Sequence, residues 1–152
     1  MRLSLIMILS KSFGYSLRSI IYIALMSNTK YNIQLQEIAD ELSVPRHFLG
    51  KVMKRLAKNG VVDSAKGRTG GFMLNDHTLS YTLKDLIILI EGDALFSACI
   101  IGFKKCNEKN PCPLHHQIIQ IRKQMINTYS ETKIGDLLIP DKTELLKSLI
   151  AA

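Results

Sequence analysis

Three cysteines and one histidine, all residue types that bind metals, lie in a single short stretch of this chain. They follow the spacing C-x6-C-x5-C-x2-H, and the chain has no other cysteine. Thiolate sulfur and imidazole nitrogen are the ligands that soft and borderline metal ions select. The pattern therefore predicts a metal or iron–sulfur site formed by Cys99, Cys106, Cys112 and His115.

The residue types alone leave three chemistries open for this stretch. Three cysteines and one histidine also form a common zinc set, but structural zinc sites usually contain short C-x2-C pairs, which this stretch lacks. Longer gaps let the chain wrap a larger cofactor, so an iron–sulfur cluster is favoured over zinc. Histidine ligation raises the reduction potential of such a cluster, which suits a redox sensor. The third alternative is a metal-free stretch whose thiols react directly.

The number of cysteines and the N-terminal segment both bear on where the protein resides. Three is an odd number, whereas a secreted disulfide framework normally uses an even one, and free thiols fit a reducing cytoplasm. Residues 1–9 contain one cation and an apolar run, loosely like a signal peptide. No small-residue cleavage motif follows, and the run is too short to span a bilayer. We therefore expect a cytoplasmic protein that does not enter membranes.

The net charge of +7 belongs entirely to the first half of the chain. Residues 1–75 contain eleven lysines and arginines against four acids, while residues 76–152 contain nine of each. A solvated surface usually mixes its signs, so this asymmetry predicts a polyanionic partner for the N-terminal half.

The apolar periodicity of that half predicts three helices followed by a β-hairpin. Helices are expected at residues 16–26, 35–42 and 45–58, the last two joined by a tight turn at Ser43-Val44. Strands are expected at residues 61–64 and 72–74, around a basic, glycine-rich tip. This order of elements describes a winged helix-turn-helix.

The third helix and the hairpin carry seven cations and a single acid. Clustered cations release condensed counterions when they meet DNA phosphates, and the start of a recognition helix meets base edges in the major groove. The alternative is a basic face that is merely solvated. His47, a lone histidine at a helix start, fits this alternative as well as it fits a DNA contact. The predicted contacts with double-stranded DNA are Arg46, His47, Lys51, Lys54, Arg55, Lys66 and Arg68.

The second half is expected to hold the cysteines in a loop that is followed by a dimerisation helix. Helices are predicted at residues 83–91, 114–129 and 143–150, and the long middle one presents Ile118, Ile121 and Met125 at the spacing of a partner-facing stripe. The predicted fold is mainly α with a small β-hairpin. It combines a winged helix-turn-helix DNA-binding domain at residues 1–80 with a cysteine-loop sensor and dimerisation region at residues 81–152.

No arrangement typical of an enzyme is found in the sequence. It lacks paired carboxylates at a plausible cleft, a C-x-x-C redox pair and a Ser/His/Asp signature. Gly70-Gly71 lacks the G-x-x-x-x-G-K-[ST] order of a phosphate-binding loop and indicates a strained turn instead. We therefore expect a DNA-binding regulator.

Four short segments together match one family of bacterial regulators. They are SKSFGYSLR at residues 10–18, KNGVV at residues 58–62, KGRTGGF at residues 66–72 and GDLL at residues 135–138. With these segments the chain resembles the winged-helix regulators that include the iron–sulfur assembly repressor IscR and the nitric-oxide-sensing repressor NsrR. The match runs over residues 7–138, so residues 1–6 are expected to be an upstream start-site artefact or a short extension.

The resemblance implies a homodimeric transcriptional repressor that binds near-palindromic operator DNA and is tuned by a [2Fe–2S] or [4Fe–4S] cluster. It implies that the three cysteines are cluster ligands and that His115 is the fourth, as in the iron–sulfur assembly repressor. The adjacent His116 is a possible substitute. Gly14 stands where the nitric-oxide sensors have an aspartate ligand, which favours the histidine.

The chain departs from the family pattern at two places that bear on function. The first cysteine gap is six residues where five is usual, and Gly50 stands where family members have a side chain for base reading. The alternative function is a cofactor-free or zinc-containing winged-helix regulator that senses through its thiols or through another ligand.

Overall fold

The structure is a computed structural model that describes residues 9–103, 106–138 and 141–151. The extension expected at residues 1–6, and nearly all of the apolar N-terminal run, lie outside these ranges. The prediction of a mainly helical fold with one small hairpin is confirmed. In addition to the helices and strands, the structure has short 3₁₀ turns at Thr78–Ser80 and Ile134–Leu137. The helices and strands are α1 (Lys11–Met26), α2 (Leu35–Glu41), α3 (Arg46–Lys58), β1 (Asp63–Ala65), β2 (Gly71–Met73), α4 (Leu83–Glu91), α5 (Ala94–Ser97), α6 (His115–Glu131) and α7 (Lys142–Ala151).

Helix α1 lies at the centre of the core and begins earlier than the predicted residue 16. Ser10 caps it, because its Oγ accepts a hydrogen bond from the Phe13 N–H and so satisfies one of the free donors of the first turn. Ile20 and Ile23 are almost completely buried where α1 packs against α3, α4 and α7. The apolar periodicity of the sequence does not extend to the start of α1, and only the capping serine, Ser10, marks where the helix begins.

Helices α2 and α3 form the predicted helix-turn-helix. Ser43 adopts a left-handed backbone conformation (φ 51°) between them, and the Val44 N–H donates to the Ala39 carbonyl, which closes the end of α2. Leu49 and Met53 on the inner face of α3 are fully buried. The opposite face of α3 is therefore free to meet a partner.

The hairpin is a two-stranded wing whose first strand begins later than predicted. β1 and β2 pair antiparallel, and Ile33, just before α2, adds a backbone bridge to Phe72. The prediction that Val61 and Val62 are strand residues was wrong. They are buried in the turn after α3, because the Val61 N–H donates to the Leu56 carbonyl and closes the helix end.

The C-terminal half contains helices α4 to α7, of which α4 packs against α6. A capping box fixes the start of α4, in which Thr82 and Asp85 each accept a hydrogen bond from the other's backbone N–H. The short helix α5 lies in a stretch that was predicted to be a loop. Its Phe96 ring packs edge-on against Tyr129 of α6, with 6.5 Å between ring centroids. This long-range aromatic contact leaves no periodic signal in four residues of sequence.

Helix α7 returns to the N-terminal half and packs on α1. Arg18 of α1 donates hydrogen bonds to the carbonyl of Leu42 at the end of α2 (3.3 Å) and to the carbonyl of Leu149 in α7. A guanidinium complements the partly negative carbonyl end of each helix. Among the described residues, no helix is both long enough and apolar enough to span a bilayer.

A buried tyrosine contributes to the stability of α1. The Tyr22 hydroxyl donates to Glu37 Oε1 (3.1 Å), and the same carboxylate pairs with Lys30 (2.9 Å). Burial, followed by the hydrogen bond and the negative charge of Glu37, raises the pKa of Tyr22 above its ordinary value of about 10. The folded protein therefore holds the phenol proton more tightly than the unfolded chain does.

Stability from Tyr22 is complete below about pH 10 and is lost as the pH rises beyond that value. We expect Tyr22→Phe to lower the free energy of unfolding by about 0.5–1.5 kcal/mol near pH 7 and to flatten its decline at alkaline pH. Urea titrations between neutral and alkaline pH measure both effects. Tyr31→Phe, at an exposed tyrosine, is the matched control. Identical declines in wild type and Tyr22→Phe would contradict the assignment.

Candidate nucleic-acid interface and metal centre

An open cleft between α3 and the wing collects five cations. Its volume is about 600 Å³. Within the part of the chain that the structure describes, the one ion pair joins Lys30 to Glu37, so no carboxylate within bonding distance neutralises these cations. The cleft thus presents uncompensated positive charge of the kind that attracts polyanions. Its cationic lining residues, all exposed, are Arg46, Lys54, Lys58, Lys66 and Arg68. They are called the cation cleft below.

The remaining residues of the exposed face of α3 lie outside the cleft lining. His47 and Lys51 are exposed to solvent on this helix. Gly50 lies on the side towards α2, where an added Cβ would stand 3.3 Å from Leu35 Cδ2. A side chain at this position would meet the neighbouring helix, so glycine here permits close packing of α2 and α3.

Two side chains that the sequence analysis did not single out hold the backbone of the wing tip. Asn32 Nδ2 donates to the Thr69 carbonyl (3.1 Å), and Gln34 Nε2 donates to the Arg68 carbonyl (3.3 Å). Both come from the segment before α2, far from the tip in sequence, so no local pattern could have indicated them. They fix the tip backbone from which the Arg68 side chain extends.

The two glycines of the wing are required by close backbone contacts. A Cβ on Gly70 would lie 2.2 Å from the Ala65 carbonyl oxygen, and a Cβ on Gly71 would lie 2.5 Å from the Ile33 carbonyl oxygen. A side chain at Gly70 would distort the wing itself, and a side chain at Gly71 would push the wing away from the segment before α2.

Arg55, which was predicted to contact DNA, does not line the cation cleft. Its Nη1 donates to the carbonyl of Ile90 in the last turn of α4, at 3.0 Å. Residues 93–113, called the cysteine loop below, begin soon after that turn. Arg55 thus connects α3 with the helix that leads into the cysteine loop.

Cys106 and His115 form one close pair of candidate ligands. Cys106 Sγ lies 3.4 Å from His115 Nδ1, and the His115 side chain is only 3% exposed. The His115 N–H donates to the Cys112 carbonyl (2.9 Å), so the C-x2-H spacing forms the turn that begins α6. His116 is exposed, and its ring packs edge-on against that of His115.

Cys99 lies near Cys112, whose side chain affects the pKa of the Cys99 thiol. Burial raises the pKa of the Cys99 thiol, but hydrogen bonds from the backbone of Ile101 and Phe103, from the Cys112 side chain and from the backbone of Gly102 outweigh it and lower the pKa. A lowered pKa favours the thiolate, which is the form that binds metal ions.

Cys106 and His115 form a close pair, and Cys99 lies near Cys112. Among the described residues, no three His, Cys, Asp or Glu side chains are placed to hold a single metal ion. A thiolate and an imidazole bound to the same tetrahedral metal ion stand about 3.5 Å apart, given their ordinary bond lengths. The distance between Cys106 and His115 matches this separation. The donor chemistry of the four residues fits a metal or iron–sulfur site, and the separation of Cys106 and His115 fits two ligands of one metal ion.

Comparison with known proteins places this arrangement in a family. Residues 9–140 match the family model Rrf2, described as an iron-dependent transcriptional regulator. The chain belongs to the Rrf2 family. It is 38% identical over 135 residues to an HTH-type transcriptional regulator of Aquifex aeolicus, covering 87% of this chain and 92% of the relative. It is 27% identical over 126 residues to the regulator NsrR of Bacillus licheniformis, covering 82% and 87% of the two chains.

A solved structure shows the same fold. CymR, the global cysteine regulator of B. subtilis, superimposes with a TM-score of 0.67 at 24% identity, over 85% of this chain and 94% of CymR. The resemblance found in the sequence is confirmed by the family match and by the NsrR relative. Members of the Rrf2 family are transcriptional regulators and not enzymes, and this confirms the expectation of a DNA-binding regulator.

Proposed function

We propose that this Rrf2 regulator is a homodimeric repressor whose affinity for a near-palindromic operator is tuned by an iron–sulfur cluster. The observation that carries the proposal is the contact of Cys106 Sγ with His115 Nδ1 at 3.4 Å, in a region where Cys99 also lies near Cys112. Cysteine thiolates are the usual ligands of iron–sulfur clusters, and histidine replaces some of them in known centres.

The paired arrangement favours a [2Fe–2S] cluster over zinc and over a [4Fe–4S] cluster. In a two-iron cluster each iron takes two protein ligands, so ligands fall into close pairs. A single zinc ion needs all four ligands around one point, and a four-iron cluster takes one protein ligand at each iron. A two-iron cluster fits one iron at Cys106 and His115 and the other at Cys99 and Cys112. When bound, it would supply a redox centre that responds to oxidation or loss of iron.

On the DNA side, the proposal divides the contacts by position. Arg46, His47 and Lys51 occupy the first half of α3, the part of a recognition helix that meets base edges. Lys54 and the wing residues Lys66 and Arg68 line the cation cleft and are assigned to phosphates. The uncompensated charge of the cleft supports this assignment.

The dimer is supported by an incompletely covered apolar face on α6. Ile121 is 53% exposed and Leu114 is 45% exposed, while Ile118 and Met125 on the same stripe are partly exposed. A helix with such a stripe usually packs against a partner. A second copy of α6 would cover it and would place two recognition helices at a fixed spacing, as a near-palindromic site requires.

The composition of the protein purified without oxygen tests the proposed cofactor. We expect visible absorption, with about two iron and two sulfide ions per chain as a [2Fe–2S] cluster requires. His115→Ala should lose most of the iron or change the absorption bands, whereas the matched control His116→Ala should keep the wild-type spectrum. A colourless protein with stoichiometric zinc, or a metal-free protein that cannot be reconstituted, would overturn the proposal and favour the zinc or thiol alternative.

A further inference from the structure

We infer that Arg55 is a positioning residue that couples the recognition helix to the cysteine loop and does not contact phosphate. This inference rests on the proposed function. Its first support is the direction of the side chain. Successive residues of a helix are separated by about 100° around its axis, so Arg55 leaves α3 on a different side from Lys54. Lys54 lines the cation cleft, whereas the Arg55 guanidinium is bonded to the Ile90 carbonyl.

The Ile90 carbonyl needs such a partner. The last four carbonyls of a helix accept no hydrogen bond from within the helix. Ile90 lies next to the final residue of α4, so its carbonyl is one of these four. Gly92 turns the chain out of the helix with a φ of 83°. Its N–H donates a hydrogen bond to the Ile88 carbonyl and not to that of Ile90. Arg55 completes the end of α4 and places a positive charge at the negative end of the helix dipole.

A second contact joins the same helix end to the start of α1. Glu91 Oε1 accepts a hydrogen bond from the Ser10 N–H (2.6 Å), and Ser10 is the residue that caps α1. Helix α1 packs in turn against α3. The end of α4 is therefore bonded both to the recognition helix and to the helix that supports it.

The chain that leaves this junction leads directly to the first candidate ligand. Helix α5 follows Gly92, and the carbonyl of Ala98, next to Cys99, accepts a hydrogen bond from Arg122 of α6. The segment between the junction and Cys99 is thus held by α3 at one end and by α6 at the other. A displacement of Cys99 is transmitted along this segment to the hydrogen bond between Arg55 and the Ile90 carbonyl. Through that bond it changes the orientation of α3 relative to α6.

The substitution Arg55→Met tests this role because it removes the guanidinium and keeps an apolar stem. We measure operator affinity over a range of salt concentrations for cluster-loaded and cluster-free protein. Allosteric coupling typically changes affinity about 5- to 150-fold. We expect Arg55→Met to bring the ratio of the two operator affinities, cluster-loaded to cluster-free, to within about twofold of one. The slope of log affinity against log salt should stay at the wild-type value. Arg55→Lys, which keeps a cationic donor, should restore part of the ratio.

Lys54→Met is the matched control, since it removes from the same helix one cation of the cation cleft that is assigned to a phosphate. It should reduce the salt slope by about 0.9 and leave the ratio unchanged, as expected for one phosphate contact. The same behaviour in Arg55→Met would overturn the inference. If Arg55→Met does not fold, Glu91→Gln loosens the same junction and should lower the ratio without a change in slope. Equal operator affinities of the cluster-loaded and cluster-free wild-type protein would refute the proposed function instead. The salt slope of Arg55→Met would still decide whether Arg55 contacts phosphate.

Discussion

Replacing Lys54 and Arg68 together with glutamine is expected to weaken binding of double-stranded DNA by about two orders of magnitude, or about one for each cation. Both residues line the cation cleft, and no carboxylate among the described residues compensates either charge. Each phosphate contact contributes about 0.9 to the dependence of log affinity on log salt, so the slope should fall by about 1.8. Fluorescence anisotropy with labelled duplex DNA at several salt concentrations measures both quantities.

The control for this experiment is Lys147→Gln, which removes a cation from the exposed side of α7. It should leave the affinity and the salt slope close to wild type, because Lys147 does not line the cation cleft. If the double variant kept the wild-type salt slope, the cation cleft would not be the phosphate-binding surface.

Replacing Cys106 with alanine is expected to remove the response of DNA binding to the cluster altogether. Cys106 is the partner of His115 in the closer ligand pair, so the substitution leaves one metal position with a single protein ligand. We expect the variant to contain little iron and to bind operator DNA with the affinity of cluster-free wild-type protein under all redox conditions. Iron analysis and operator titrations with and without oxygen measure this.

The neighbouring Asn107→Ala variant is the control for this second prediction. Asn107 is exposed, and its side chain accepts only a local hydrogen bond from the Lys109 N–H. It should retain iron and the redox response. A Cys106→Ala protein that still bound iron in wild-type amounts and still responded to oxygen would show that the cluster, if present, uses other ligands.

The parts of the fold that local chemistry determines could be predicted from the sequence. The turn at Ser43-Val44, the end of α3 at Lys58 and the basic, glycine-rich wing tip were each predicted from residues within a few positions of one another. The spacing of three cysteines and one histidine likewise pointed to one loop, and the structure places Cys106 beside His115 and Cys99 near Cys112.

The features that the sequence did not reveal depend on contacts between distant segments. Asn32 and Gln34 support a wing tip more than thirty positions away. Arg55 has the charge and the helix position of a DNA contact, and only the tertiary structure shows that its guanidinium is bonded to the Ile90 carbonyl. The helix α5 owes its place to the contact between Phe96 and Tyr129. Charge and periodicity identify candidates, but tertiary packing decides which partner each one finds.

The most direct test of the central claim is operator affinity measured on one preparation before and after removal of the cluster. A promoter fragment bound by the cluster-loaded or the cluster-free protein would serve as the probe, at fixed salt. We predict that affinity changes about 5- to 150-fold between the two forms and that reconstitution with iron and sulfide reverses the change. Equal affinities of the two forms on every promoter fragment would contradict the account, even if the cluster itself were present.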